Sequence, residues 1–273
     1  MSAADRLRYY AEHFGVVEVD STYYRPLEPA LAGSWAERVP EGFRFDVKAY
    51  GLFTGHPVLA ATLWPDIRGT LAPEAASKRR VYAHHLPADA LDEAWARFLH
   101  ALEPLAVAGR LGAVLFQYPP WFVPSRDNRA EVERLAQRLQ GVIGCVEFRS
   151  PRWYGSEQLP RTLAMLSSLN LAFVVVDAPS VSGLPTVPEV TTGRLAVARF
   201  HGRADSTWSA RNLSAAERFR YLYDRKELEQ WVPRARLLAE KAETVHLLMN
   251  NCYRDYGVRN AAELASLLDE AGN

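Results

Sequence analysis

The stretch Leu195–Arg203, LAVARFHGR, decides how the rest of the chain is read. Side chains of an extended strand alternate between its faces, so Leu195, Val197, Arg199 and His201 point one way while Ala196, Ala198 and Phe200 point the other. The first set starts apolar and ends charged. Burial along most of the length, with polar groups only at the C-terminal end, is what a strand of a parallel α/β sheet or barrel requires. Ligands of such folds bind at that end.

Working outward, six more segments read as strands: Val16–Asp20, Phe43–Lys48, Gly112–Tyr118, Ile143–Arg149, Leu171–Asp177 and Thr244–Asn250. Helical spacing of apolar residues predicts helices over Ser2–Phe14, Ala30–Val39, Pro87–Ala108, Asn128–Leu139, Glu157–Leu169, Glu227–Ala242 and Asn260–Ala271. No low-complexity linker divides the chain. The alternation predicts one α/β domain over residues 1–273, a TIM-type (β/α) barrel lacking its first strand. Two long connections, Ala49–Leu86 and Ala178–Gly193, are the segments expected to cover a site, because structureless loops of that length are usually functional or disordered.

Composition narrows the function classes. Lys plus Arg and Asp plus Glu both number 32 in 273 residues, so any electrostatic recognition must be local rather than a property of the whole surface. The two cysteines, Cys145 and Cys252, lack the spacing of a zinc knuckle or disulfide framework and are expected to be bystander thiols. The charged N-terminus does not resemble a signal peptide, and no segment is apolar for long enough to span a bilayer. The expectation is a cytoplasmic protein with no membrane partner. The motifs GxGxxG, GxxxxGK[ST] and GxSxG are absent.

The same parity argument, applied to every strand, collects a polar ring. Glu18 pairs in parity with Asp20, Asp46 with Lys48, Glu147 with Arg149 and Arg199 with His201, while Gln117, Asp177 and Asn250 fall at or near strand ends. Lys48, Arg149, Arg199 and Arg203 suit a phosphate or carboxylate, the guanidinium fork favouring bidentate contact. Glu18, Glu147 and Asp177 offer carboxylates for acid/base work, and His201 a proton carrier near neutral pH. The competing reading is a set of salt bridges plugging the strand ends, with Asp46 neutralising Lys48 and Glu147 neutralising Arg149. No spacing of metal-ligand type occurs, so no metal is assigned, and the sequence names no cofactor. Trp64, Trp121, Trp153 and Trp208 fall in loops after strands, where they serve either packing or stacking on a sugar or base.

The runs VEVDSTYYRPL, FRFDVKAYGLFTGHP, FQYPPWF, VEFRSPRW, VVVDAP, ARFHGR and NNCYRDYGVRNA, in that order, resemble the YecE-like family catalogued as domain of unknown function 72. The resemblance runs from about Tyr9 to Leu268. It implies a TIM-type barrel and no established reaction. Its recurrent polar positions fall on Glu18, Tyr24, Lys48, His56, Gln117, Glu147, Arg149, Asp177, Arg199, His201, Arg203, Asn250 and Asn251. Family members usually open with a Gly-Thr-Ser-Gly-Trp-like strand that this sequence does not show, hence the expectation of a missing first strand with exposed strand edges.

Three functions compete. The first is an enzyme acting on a small phosphorylated or polyhydroxylated substrate, with arginines on its anion and Glu147, His201, Asp177 and Glu18 as acid/base candidates. The second is a nucleic-acid binder or nuclease using the same arginines and the basic run Ser77–Arg80, which the neutral overall charge disfavours. The third is a non-catalytic ligand-binding protein. Oligomeric state is not legible.

Overall fold

The computed structural model describes residues 2–139, 141–208, 210 and 213–272, in two compact units spanning 1–119 and 120–273. In the first unit β1 (Val16–Val19) pairs in parallel with β2 (Arg44–Lys48). The connection after β2 carries a short antiparallel ribbon of β3 (Val58–Leu59) with β4 (Arg80–Val81), and β2 pairs again in parallel with β5 (Leu111–Tyr118). In the second unit β6 (Gly144–Phe148), β7 (Ala172–Asp177), β8 (Leu195–Phe200) and β9 (Thr244–Met249) pair in parallel in chain order. All seven strands read from the sequence form, and helices alternate with them. This is an α/β fold of TIM type.

Burial follows from the apolar runs. β6, β7 and β8 are buried at every position, as strands covered on both faces must be. β1 is half-exposed throughout and β9 alternates between exposed or half-exposed and buried positions, the pattern of strands at the margin of a sheet.

Two expectations change. The connection Ala49–Leu86 is not an open cover: Tyr50, Leu52, Phe53, Leu63, Ile67 and Val81 are all buried. Phe53 stacks on Trp95 of the helix Ala88–Val107, with ring centroids 4.0 Å apart. Scattered apolar residues without a clear period hid this packing from a periodicity argument. The helix expected over Glu227–Ala242 divides at Gln230 into Arg225–Glu229 and Trp231–Ala239. Pro233, three residues on, has no N–H to give the carbonyl of Glu229, so the ladder cannot run through.

At the end of β8 the chain makes the turn that aims His201 and Arg203. Gly202 takes a left-handed φ of 83°, and its N–H donates to the Tyr223 hydroxyl at 2.9 Å. A Cβ at this position would lie 2.5 Å from Cβ of Tyr221, an atom close to the backbone that cannot swing away. Both constraints demand glycine. Gly202→Ala should therefore destabilise the protein by about 1–3 kcal/mol in urea unfolding, and a change below about 0.5 kcal/mol would show that the turn relaxes freely.

Candidate functional site

Register places the charges of the second unit in layers. Val146 lies opposite Phe173, Val174 opposite Val197, and Val176 opposite Arg199. Continuing that register, Glu147 stands level with Val197, while Arg149 and Arg199 stand two residues further along, about 7 Å nearer the C-terminal ends. His201 follows on the same face. The four side chains thus converge because parity and register agree, which is the convergence that LAVARFHGR and VEFR implied.

Glu147 is fully buried. Its Oε2 accepts from Nη1 of Arg199 at 2.5 Å, and its Oε1 forms an ion pair with Nε of Arg149. Nε2 of His201 lies 3.2 Å from Oε1, off the line of a good hydrogen bond. Burial pushes the Glu147 carboxyl up, but Arg149, Arg199 and His201 outweigh it and hold it well below the usual carboxylate range. Two guanidiniums therefore face one carboxylate that stays ionised near neutral pH.

His201 is held neutral. Burial, joined by the positive charge of Arg149, pushes its imidazole down to about 3 against the opposite pull of Glu147. Nδ1 meets Nδ2 of Asn250 at 2.9 Å and Nη2 of Arg149 at 3.5 Å, both donors, so it is the acceptor nitrogen and the proton sits on Nε2 beside Glu147. Trp208 covers this group: the Arg149 guanidinium lies 5.1 Å from its ring, and the rings of Trp208 and Phe219 lie 6.2 and 6.0 Å from that of His201. Arg149 keeps 13% of its side chain exposed, while Glu147, Arg199 and His201 show none.

Asp177 belongs to a different cluster. It stands in register with Phe200, not Arg199, and so takes the opposite face of the sheet, toward the helix Trp231–Ala239. The expected convergence of Asp177 with Glu147 is replaced by a saturated network. Oδ1 accepts from Nε of Arg203 and the Tyr223 hydroxyl, each at 2.9 Å; Oδ2 accepts from Nη2 of Arg203 at 2.6 Å and Nε1 of Trp231 at 2.7 Å. Burial raises this carboxyl, and hydrogen bonds from Arg203, Trp231 and Tyr223 more than reverse it. Asn251, also fully buried, donates to the Tyr221 carbonyl and to Asn260, which in turn holds both backbone groups of Tyr223. Tyr223 and Trp231 gave no sequence signal, because aromatics read as core. Asn260 lay within the NNCYRDYGVRNA run but carried no parity argument.

The remaining candidates lie in the first unit. Glu18 is half-buried in register with Asp46. Lys48 pairs with Asp20 at 2.9 Å rather than with Asp46, and its ammonium sits 4.7 Å from the Tyr23 ring. His56 meets Oγ1 of Thr54 at 2.9 Å and turns its ring edge toward Tyr23, whose hydroxyl burial pushes up to about 12. Tyr24 is 62% exposed, and Gln117 is half-buried near the end of β5.

The depressed His201 carries a sign. An unfolded chain protonates this imidazole near pH 6.5, whereas the folded chain resists to about 3, so acid favours unfolding. Stability should fall as pH drops from about 6.5, by up to about 1.4 kcal/mol per pH unit from this group, and His201→Gln should flatten that slope above about pH 4.5. The carboxylates Glu147 and Asp177 act lower: their stabilisation is present above about pH 4 and lost on further acidification. Asp177→Asn should cost about 2 kcal/mol, measured by thermal or urea unfolding, because it removes the buried counter-charge of Arg203 and leaves only Glu227, 3.4 Å from Nη1. A loss under about 1 kcal/mol would mean the network is dispensable.

Among the described residues no helix is long and apolar enough to cross a membrane. The family model described as protein of unknown function DUF72 matches residues 1–273. The chain is 30% identical over 272 residues to UPF0759 protein YunF of Bacillus subtilis, covering 97% of this chain and 86% of that protein. It is similar in fold to a DUF72 family protein of Enterococcus faecalis, with TM-score 0.77 and 22% identity over 98% of this chain and 95% of the other. A DUF72 family protein of Thermotoga maritima gives TM-score 0.75 and 28% identity over 98% and 91%. With the family model covering its whole length, this chain belongs to the DUF72 family of proteins of unknown function.

Proposed function

We propose that this chain binds a small phosphorylated or polyhydroxylated molecule through its anionic group, with Arg149 as the direct contact, and acts on it through the Glu147–His201 pair. One observation carries the reading. Arg149 pairs with Glu147 through Nε, its Nη2 lies 3.5 Å from a neutral imidazole, its guanidinium lies against a tryptophan ring, and it is the member of the cluster that reaches solvent. A guanidinium in that position has donors to offer an oxyanion. Glu147 sets the fork of Arg149, and Arg203, committed to Asp177 by two bonds, holds the loop rather than the ligand.

A second reading, binding without turnover, is favoured by the protonation states. Glu147 has no proton to give near neutrality, and His201 is too weak a base to take one unless the ligand changes both. In the catalytic reading the anion draws Arg149 away from Glu147 and restores the basicity of the carboxylate.

Calorimetric titration with inorganic phosphate and glucose 6-phosphate tests the site. Wild-type protein should bind, and Arg149→Met should weaken binding by about 10-fold or more, the worth of one charge-assisted contact. Equal affinity in the variant, or no binding to wild type, would overturn the reading. Incubating the phosphorylated ligand with protein and following it by 31P NMR then separates the two forms: new resonances lost in His201→Gln mark turnover, and an unchanged spectrum marks a binding protein.

A further inference from the structure

We infer that a cavity at the N-terminal ends of β6, β7 and β8, the opposite end of these strands from Arg149, binds a short aliphatic carboxylate with Arg194 as its anion contact. The cavity has a volume of about 140 Å³. It lies where the helices Arg126–Arg138 and Gln158–Ser168 hand over to β6 and β7, beside the segment that enters β8. Leu139, Leu171 and Thr192 in its lining are buried, and Val142, Ile143 and Leu169 are half-buried. Arg194 is exposed, which puts the guanidinium at the mouth. A Cβ on Gly144, the first residue of β6, would overlap the terminal methyls of Leu139 and Leu171, so only glycine lets both leucines sit where they do.

The segment carrying Arg194 is fixed before any ligand arrives. The Thr191 hydroxyl donates to the Leu171 carbonyl at 2.6 Å and accepts from the Phe173 N–H at 2.8 Å. The buried Thr192 hydroxyl bonds both backbone groups of Leu195, and the Glu243 N–H donates to the Gly193 carbonyl at 2.9 Å. Arg194 itself has donors to spare. Helix C-termini attract cations, and two helices end here. Their last carbonyls are already taken by backbone N–H groups: Ala136 by Leu139, Leu139 by Val142, Leu166 by Leu171 and Ser167 by Asn170. Among the described residues Arg194 makes neither an ion pair nor a side-chain hydrogen bond. Glu243, drawn alongside by its bond to Gly193, forms no ion pair with a described residue either.

Size, walls and charge together select the ligand. A cavity of about 150 Å³ accepts benzene, so about six heavy atoms fit here, and a hexose phosphate does not. The half-exposed Val142, Ile143 and Leu169 gain by covering an alkyl chain. A guanidinium takes a carboxylate through two parallel bonds, and a segment already ordered loses little freedom in doing so. Butyrate meets all three requirements.

Calorimetry, or ligand-observed NMR where binding is weak, tests this with butyrate, acetate and butyramide on wild type, Arg194→Gln, Ala136→Leu and Arg149→Met, with thermal unfolding as the check that each folds. Wild type and Arg149→Met should bind butyrate alike. Butyrate should bind at least about 10-fold tighter than acetate, which lacks two methylenes, and at least about 10-fold tighter than butyramide, which lacks the charge. Arg194→Gln should bring butyrate and butyramide to within about twofold of each other. Ala136→Leu, which adds bulk to the lining from a half-buried helix position, should weaken butyrate by about 10-fold or more. If Ala136→Leu fails to fold, the ratio in Arg194→Gln decides. Absence of butyrate binding to wild type, a charge preference that survives in Arg194→Gln, or an affinity unchanged in folded Ala136→Leu overturns the inference. So does binding that is lost in Arg149→Met and kept in Arg194→Gln, which would place the carboxylate against Arg149 instead.

Discussion

A carboxylate withdrawn from water between two guanidiniums is the interaction on which this structure turns. Removing Glu147 from solvent is expensive, and the cost is met only because Arg149 and Arg199 arrive at the same layer from two strands, β7 lying between them in register. That arrangement fixes everything above it. Arg149 is oriented by its Nε contact, His201 is kept neutral by burial and by the cation beside it, and Asn250 completes the imidazole's other side. A buried ion cluster of this kind contributes little net stability compared with well-packed apolar residues, so its retention points toward specificity or function.

The opposite face of β7 and β8 carries the counterpart. Asp177 gathers Arg203, Tyr223 and Trp231, and through Tyr223 it reaches Gly202 and Asn260. Arg203, Gly202 and Tyr223 belong to the turn after β8 and the segment before the helix Arg225–Glu229, while Trp231 and Asn260 anchor the network to later helices. The network is a brace, and the Glu147 group is what it holds in place. Both systems reach solvent through one guanidinium, Arg203 with 24% of its side chain exposed and Arg149 with 13%, but Arg203 has all three of its nitrogens bonded to Asp177, Glu227 or Gln230.

The sequence made a good part of this legible. The seven strands and their order along the chain followed from apolar runs and turn residues, and the shared face of Glu147 with Arg149, and of Arg199 with His201, followed from a two-residue period, while register brought the two pairs together. Asp177 shows where that argument stops. Parity within one strand says which of its residues share a face, but which face meets which neighbour is set by register between strands, and LAFVVVD, apolar on both sides, contains no clue to it. Lys48 shows the same limit in the first unit, because its partner Asp20 comes from a strand end rather than from its own strand.

By itself, then, the sequence determined the strand–helix alternation, the apolar strand interiors and the clustering of ionisable residues at strand ends, since all three are local patterns read along the chain. Only the tertiary structure decided protonation and partnership: that Glu147 stays ionised, that His201 loses its ordinary basicity, and that Asp177 turns to the helices. Those properties depend on desolvation and on charges contributed by residues some fifty positions apart in the chain, as in the Arg199–Glu147 pair, and no pattern along one strand encodes a distance to another.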